Sequence, residues 1–211
     1  MLIDTGASRS FPAPHALLDA AQGDPTTALL IGAEAGAALA RLADVARYRT
    51  VLVELGSECL AVHADEGAAN VLGFARFRLG DDPPSDLVEL VRQPATSDDA
   101  IAAARDFLAA AKLESALCND FAGRIIDRLV RPYFNAALQK LDEGLATAGD
   151  LDLTVRLGLG YPAGPIALME RSGLAHHFEI SQALFDAYGE AAYAPARRAR
   201  IAMERRRRGR T

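Results

Sequence analysis

Side chains able to do acid–base, nucleophilic or metal chemistry are few in this chain. There are four histidines (His15, His63, His176, His177) and two cysteines (Cys59, Cys118). Their spacing fits no metal-ligand pattern, so no metal is expected. No G-x-S-x-G turn is present to expose a nucleophilic serine. Cys118 reads as a small buried residue. His63 follows an apolar run and is a candidate base, whereas His176 and His177 read as structural. Two glycine-rich turns stand out. Gly32-Ala-Glu-Ala-Gly36 follows the apolar run Thr27–Ile31, precedes an alanine-rich helical pattern, and is trailed by a second run, Thr50–Glu54. In strand–turn–helix–strand units such a turn holds phosphate on backbone N–H groups, and an acid ending the second strand binds ribose hydroxyls. Gly32 and Gly36 are therefore candidate cofactor-binding positions, with Glu54 as the ribose acid. Glu34 stands inside the turn, where its charge repels phosphate and its Cβ blocks close approach. The second turn, Leu157-Gly-Leu-Gly-Tyr-Pro-Ala-Gly-Pro165, reads as a tight bend between two helices.

The elements that must position these residues follow from composition and periodicity. Of 211 residues, 50% are hydrophobic and 24% charged, which excludes a mainly disordered chain. Two cysteines cannot make a disulfide scaffold. No apolar run approaches the roughly 18 residues of a membrane span, and the start lacks a signal-peptide pattern, so a cytoplasmic protein without membrane contact is expected. The net charge of −5 is uneven: residues 195–211 carry +7, with eight arginines and one acid, and the rest carries −12. A basic tail on an acidic body is not a nucleic-acid-binding face. It reads as a solvated helix end.

Residues 1–26 read as an extension with a short helix near Ala16–Ala21. Residues 27–119 carry strand candidates at Thr27–Ile31, Thr50–Glu54, Leu60–His63, Val71–Phe77, Leu87–Val91 and Glu114–Cys118, interleaved with helical patterns, the clearest starting at Thr96-Ser97-Asp98. This predicts a mostly parallel sheet. Residues 120–194 show only helices and turns. A long helix from about Gly123 to Glu143 has a wide apolar stripe (Ile125, Ile126, Leu129, Tyr133, Ala137, Leu141). Gly144, Gly158, Gly173 and Gly189 act as stops.

Several motifs in this second part, taken in order, resemble the C-terminal helical domain of the 3-hydroxyacyl-CoA dehydrogenase family. They are Asp120-Phe-Ala-Gly-Arg-Ile-Ile-Asp-Arg128, Pro132-Tyr133, Asn135-Ala136, Glu143-Gly144, Asp150-Leu-Asp152 and Arg156–Pro165. Upstream, Asp86–Asp98 resembles the end of the family's nucleotide-binding domain. The implied fold is α/β plus all-α: a truncated Rossmann-like, mostly parallel sheet, then a helical 3-hydroxyacyl-CoA dehydrogenase C-terminal domain. The implied cofactor is NAD, the ligand an acyl-CoA, and the assembly a homodimer through the helical domain.

The resemblance also places catalytic positions. In the family a histidine takes the hydroxyl proton while hydride leaves to the nicotinamide, and a glutamate holds the imidazole. Glu89 matches that glutamate. The histidine position, two after Gly73, is Ala75, which cannot accept a proton. The family's substrate-side asparagine is replaced by Asp127. Two registrations of residues 27–57 remain open. In the first, Thr27–Gly36 with Glu54 is the nucleotide-binding opening, and the spacing favours it. In the second, Thr50–Ser57 is a later segment, and Ser57 matches the family's active-site serine. The shortened sheet, the altered glycine turn and Ala75 predict a degenerate member. The alternative is a non-catalytic acyl-CoA-binding or assembly module.

Overall fold

Five of the six strand candidates become strands of one sheet, and four of them are buried along most of their length because their apolar runs are covered on both faces. The computed structural model describes residues 1–209, so Arg210 of the basic tail lies outside the described residues. Contacts divide the chain into two units, Met1–Arg78 with Pro83–Ile125, and Leu79–Asp82 with Ile126–Thr211.

The first unit is a six-stranded sheet. Its strands are β1 (Leu2–Asp4), β2 (Thr27–Ile31), β3 (Thr50–Glu54), β4 (Val71–Arg76), β5 (Leu87–Arg92) and β6 (Glu114–Asn119), in spatial order β1-β2-β3-β4-β5-β6. All neighbours are parallel except β4 and β5. Its helices are α1 (Ala16–Gly23), α2 (Ala35–Arg41) and α3 (Asp98–Ala110). Ser97 starts α3, its hydroxyl accepting from the N–H of Ala100.

Two expectations for this unit are corrected. Residues 1–26 are not a mere extension: β1 pairs with β2, and α1 buries Leu17 and Ala21 in the core. Burying one such leucine stabilises a fold by about 1.5–3 kcal/mol. Three residues are too few to show a strand period, which hides β1 from sequence reading. Residues Leu60–Val62 form a 3-10 turn, not a strand. The Asp120 carboxylate accepts from the N–H of Leu60 at 2.7 Å and of Ala61 at 2.8 Å, so those donors are unavailable to a sheet ladder.

The order of strands and helices carries a second finding. The steps β1–α1–β2 and β2–α2–β3 cross the sheet in the same direction between parallel strands. Yet α1 packs against Leu29 and Ile31, while α2 packs against Ala28 and Leu30. Alternate residues of a strand face opposite sides, so the two helices lie on opposite faces and the two crossovers have opposite hands. α3 shares the face of α1, but β5 and β6 run the other way, which gives its crossover the hand of α2's. Right-handed crossovers are the near-universal rule, and β1–α1–β2 is the crossover whose hand differs from the other two.

A doubly wound sheet explains it. In the order 3-2-1-4-5-6, the helix after strand 1 leads outward to strand 2, and the chain later returns past strand 1 to strand 4. Here α1 keeps the face of the outward step, but the chain runs directly to the strand on the other side. The strand order never reverses among the described residues. Set against that order, the outward pair of strands would fall between Gly23 and Thr27, where this chain has three residues.

The second unit is helical: α4 (Ile126–Asp142), α5 (Ala148–Leu159), α6 (Pro165–Ser172), α7 (Leu174–Tyr188) and α8 (Arg197–Arg207). Thr147 caps α5, and Gly160, with φ +71°, ends it. The Leu157–Pro165 bend has a structural cause. The Asp152 carboxylate accepts from the N–H groups of Ile166 and Ala167 at the start of α6. A Cβ on Gly164 would lie 2.1 Å from that carboxyl carbon. The basic segment is not a frayed end: α8 buries Ala199 and Met203 against Phe178 of α7. Arg198 pairs with Asp142 at 2.6 Å.

Candidate functional site

Glu89 and Ala75 sit directly opposite each other in the β4–β5 ladder, so the resemblance places its two catalytic positions side by side. Ala75 is buried, and its methyl group can neither accept nor donate a proton. Glu89 is also buried, at 2% exposure. Its Oε1 accepts from the N–H of Ile125 at 2.7 Å, and its Oε2 lies 3.4 Å from Nε of Arg124. Arg124 is itself buried, donates to the carbonyl of Gly56 at 2.7 Å, and has φ +51°, left-handed backbone that costs a side-chain-bearing residue energy. A permanently charged guanidinium thus faces the carboxylate that in the family holds an imidazole. Sequence reasoning missed Arg124, because its partner lies 35 residues away and no local pattern marks it. Cys118 is half-buried, with its thiol pushed up to about 11 by burial and by the neighbouring Glu89 carboxylate.

Ser57 stands nearby in the chain, and its carbonyl accepts from the N–H of Gly123 at 2.8 Å. In the sheet β3 stands between β2 and β4, with no reversal of strand order.

A cavity of about 520 Å³ opens where β1, β2 and β3 end, between the turns that follow them and α2. Gly32, Gly36 and Glu54 all line it, as do Glu34, Glu58 and His63. Gly32 has φ +96°. The Glu54 carboxylate turns inward: Oε2 accepts from the N–H of Gly32 and Oε1 from that of Ser10, each at 2.7 Å. Gly36 has a packing reason to be glycine, since a Cβ there would meet the His63 ring at 2.2 Å. His63 Nε2 lies 3.3 Å from Oε1 of Glu58. Burial pushes the Glu58 carboxyl upward, but the N–H groups of Gly56 and Glu58 and the His63 ring outweigh it and hold it below the ordinary value. His63 therefore has a carboxylate partner that sequence reading did not supply.

In the helical unit, Asp127 pairs with Arg131 one turn on, at 2.7 Å. Arg131 is fully buried and its Nη1 lies 3.2 Å from Nδ1 of His177. His177 Nε2 lies 2.8 Å from Oδ1 of Asn135. The Arg131 donor facing Nδ1 puts the ring's single proton on Nε2. Burial, then the charge of Arg131, lowers the His177 pKa to about 3. Asp127 is thus part of a buried structural network.

Of the expected α4 stripe, Tyr133, Ala137 and Leu141 are partly buried within this unit, beside the buried Phe134 and Leu138, which the stripe did not include. Leu129 of the stripe is exposed, as are apolar residues of α5. α5 buries none of its residues, and Leu129, Leu153, Leu157 and Leu159 are 69%, 49%, 76% and 64% exposed.

Comparison with known proteins agrees with the fold. Residues 123–211 match the sequence model of the 3-hydroxyacyl-CoA dehydrogenase C-terminal domain. The chain is 33% identical over 113 residues to 3-hydroxybutyryl-CoA dehydrogenase of Bradyrhizobium diazoefficiens, covering 54% of this chain and 39% of that protein. It is 36% identical over 92 residues to human mitochondrial hydroxyacyl-coenzyme A dehydrogenase, covering 44% of this chain and 29% of that one. The match therefore spans well under half the length of these curated relatives. Among solved structures, Mycobacterium tuberculosis FadB2 superposes with a TM-score of 0.72 at 24% identity, over 89% of this chain and 70% of that one.

Proposed function

We propose that this chain, whose residues 123–211 match the C-terminal domain model of the 3-hydroxyacyl-CoA dehydrogenase family, is a member that keeps the family's scaffold but does not itself oxidise 3-hydroxyacyl-CoA. The observation that carries this reading is Ala75 opposite Glu89, with Arg124 on the carboxylate. Dehydrogenation needs a base within hydrogen-bond reach of the substrate hydroxyl. A methyl group stands where that base belongs. Loss of one acid–base catalyst alone removes about 10²–10⁴-fold of rate.

NAD, the cofactor the family implies, does not fit the residues present. The Gly32 and Ser10 amides at the strand ends are already taken by Glu54, and the sheet lacks the strand whose terminal acid would bind the ribose. An acyl-CoA remains the ligand class we assign. Free Cys59 and Cys118 suit a reducing, cytoplasmic setting. The test is an initial-rate assay with 3-hydroxybutyryl-CoA and NAD. No NADH formation above background is expected, and turnover at about 1 s⁻¹ or faster, an ordinary enzymatic rate, would refute the reading.

A second element of the proposal is assembly. Leu153 and Leu157 lie one turn apart on α5, and five leucines exposed in one unit (Leu129, Leu145, Leu153, Leu157 and Leu159) are what an interface would cover. The protein is expected to run as a homodimer in light scattering at micromolar concentration, and Leu157→Glu to convert it to a monomer. A monomeric wild type would remove the assembly role.

A further inference from the structure

We infer that Glu54 is a built-in anion, a carboxylate that occupies on this chain the backbone-amide site where a dinucleotide phosphate would otherwise be held. The inference takes the identity of the excluded ligand from the family reading; it stands apart from Ala75, because a chain without a catalytic base could still bind cofactor.

In doubly wound sheets the turns after the inner strands aim backbone N–H groups at the cofactor phosphates. Here the turns after β1 and β2 present the N–H groups of Ser10 and Gly32. The two oxygens of one carboxylate bridge them, as two oxygens of one phosphate would, with both contacts at 2.7 Å. Such short contacts to an ionised acceptor are the strong class of hydrogen bond. Glu54 is only 8% exposed, so water competes weakly for them.

Sterics point the same way. A Cβ on Gly32 would lie 2.1 Å from the carbonyl oxygen of Gly6 and 2.7 Å from Oγ1 of Thr5. The two turns touch at Gly32, Gly6 and Thr5, and the space between the Ser10 and Gly32 amides is filled by the Glu54 carboxylate. The β1 turn is also anchored. Phe11, next to Ser10, is buried against Phe74 with ring centroids 6.1 Å apart. Arg76 donates to the carbonyl of Ser10 at 2.9 Å, and its N–H to the Ser10 hydroxyl at 3.2 Å. The same cavity is lined by Glu34 and Glu58 and by one arginine, Arg9, whose Nη2 donates to the carbonyl of Arg78 at 3.1 Å, so with Glu54 the acids outnumber the cation.

It follows that removing the carboxylate leaves two buried amides unpaired, and these then bind an external anion. The probes are inorganic pyrophosphate and NADH, followed by calorimetry and by backbone amide chemical shifts. Wild-type protein is expected to bind neither at millimolar concentration. Glu54→Ala is expected to bind pyrophosphate roughly tenfold or more tightly than wild type, with the largest shifts at Ser10 and Gly32. Glu54→Gln keeps the shape and serves if the alanine variant fails to fold; its carboxamide can accept from one of the two amides, so the other is released and a smaller gain is expected. Sub-millimolar binding of NADH by wild type would overturn the inference. So would a folded Glu54 variant with no new anion binding at these amides. Dehydrogenase turnover would instead refute the proposed function and leave this test standing.

Discussion

Arg124→Met is expected to destabilise the protein by about 3–5 kcal/mol, the usual cost of leaving a buried charge without its partner. Glu89 is 2% exposed, and the Arg124 guanidinium lies against it, with Nε 3.4 Å from the carboxylate. The variant also removes the donor to the Gly56 carbonyl. Substituting both partners, as Arg124→Met with Glu89→Leu, is expected to recover most of the loss, because no charge then remains to desolvate. Urea unfolding of the two single variants and the double variant measures the coupling. If the single variants lose less than about 1 kcal/mol, as an exposed pair would, the buried ion pair is not what holds this part of the fold.

Acid is expected to weaken the helical unit before its carboxylates titrate. The His177 pKa is lowered to about 3, against an ordinary 6.5. A histidine with a depressed folded pKa binds its proton more readily when unfolded. Stability is therefore full above pH 6.5 and falls as pH drops toward 3. The slope approaches about 1.4 kcal/mol per pH unit for one proton. The groups facing His177 explain the direction: Arg131 at 3.2 Å opposes a second proton, Asn135 accepts the first, Ser181 lies at 3.4 Å, and Phe134 stands edge-on. His176 is a further positive neighbour when protonated. Urea unfolding between pH 6.5 and 5 checks this, since most carboxylates stay ionised there. His177→Gln, which cannot be protonated, is expected to flatten the slope by about one proton. An unchanged slope would mean that another group carries the acid sensitivity.

Much of the fold was legible because it is written locally. The runs Thr27–Ile31 and Thr50–Glu54 are buried along their whole length, as parallel-sheet strands are. Ser97, Thr147, Pro165 and Gly189 mark helix ends by side-chain capping, fixed φ or left-handed backbone, and each sits at a helix end in the fold. What was not legible depends on distant partners. Asp120 bends Leu60–Val62 into a turn from 60 residues away. His15 caps α1 with its ring nitrogen, outside the usual Ser, Thr, Asp and Asn. The inward turn of Glu54 depends on where the β1 turn lies, and β1 itself is too short to announce. The opposition of Ala75 and Glu89 was reachable only through resemblance, because the ladder register is not visible in one strand alone.

The most direct measurement is the chemical step by itself, in the reverse direction. Acetoacetyl-CoA and NADH are mixed with wild-type protein in excess over the acyl-CoA, and NADH absorbance is followed through a single turnover. This removes product release as an explanation for a slow rate. With Ala75 in place of the base and Glu89 held by Arg124, no enzyme-dependent loss of NADH is predicted on the timescale of seconds to minutes. A rapid loss of one NADH for each acetoacetyl-CoA would contradict the account.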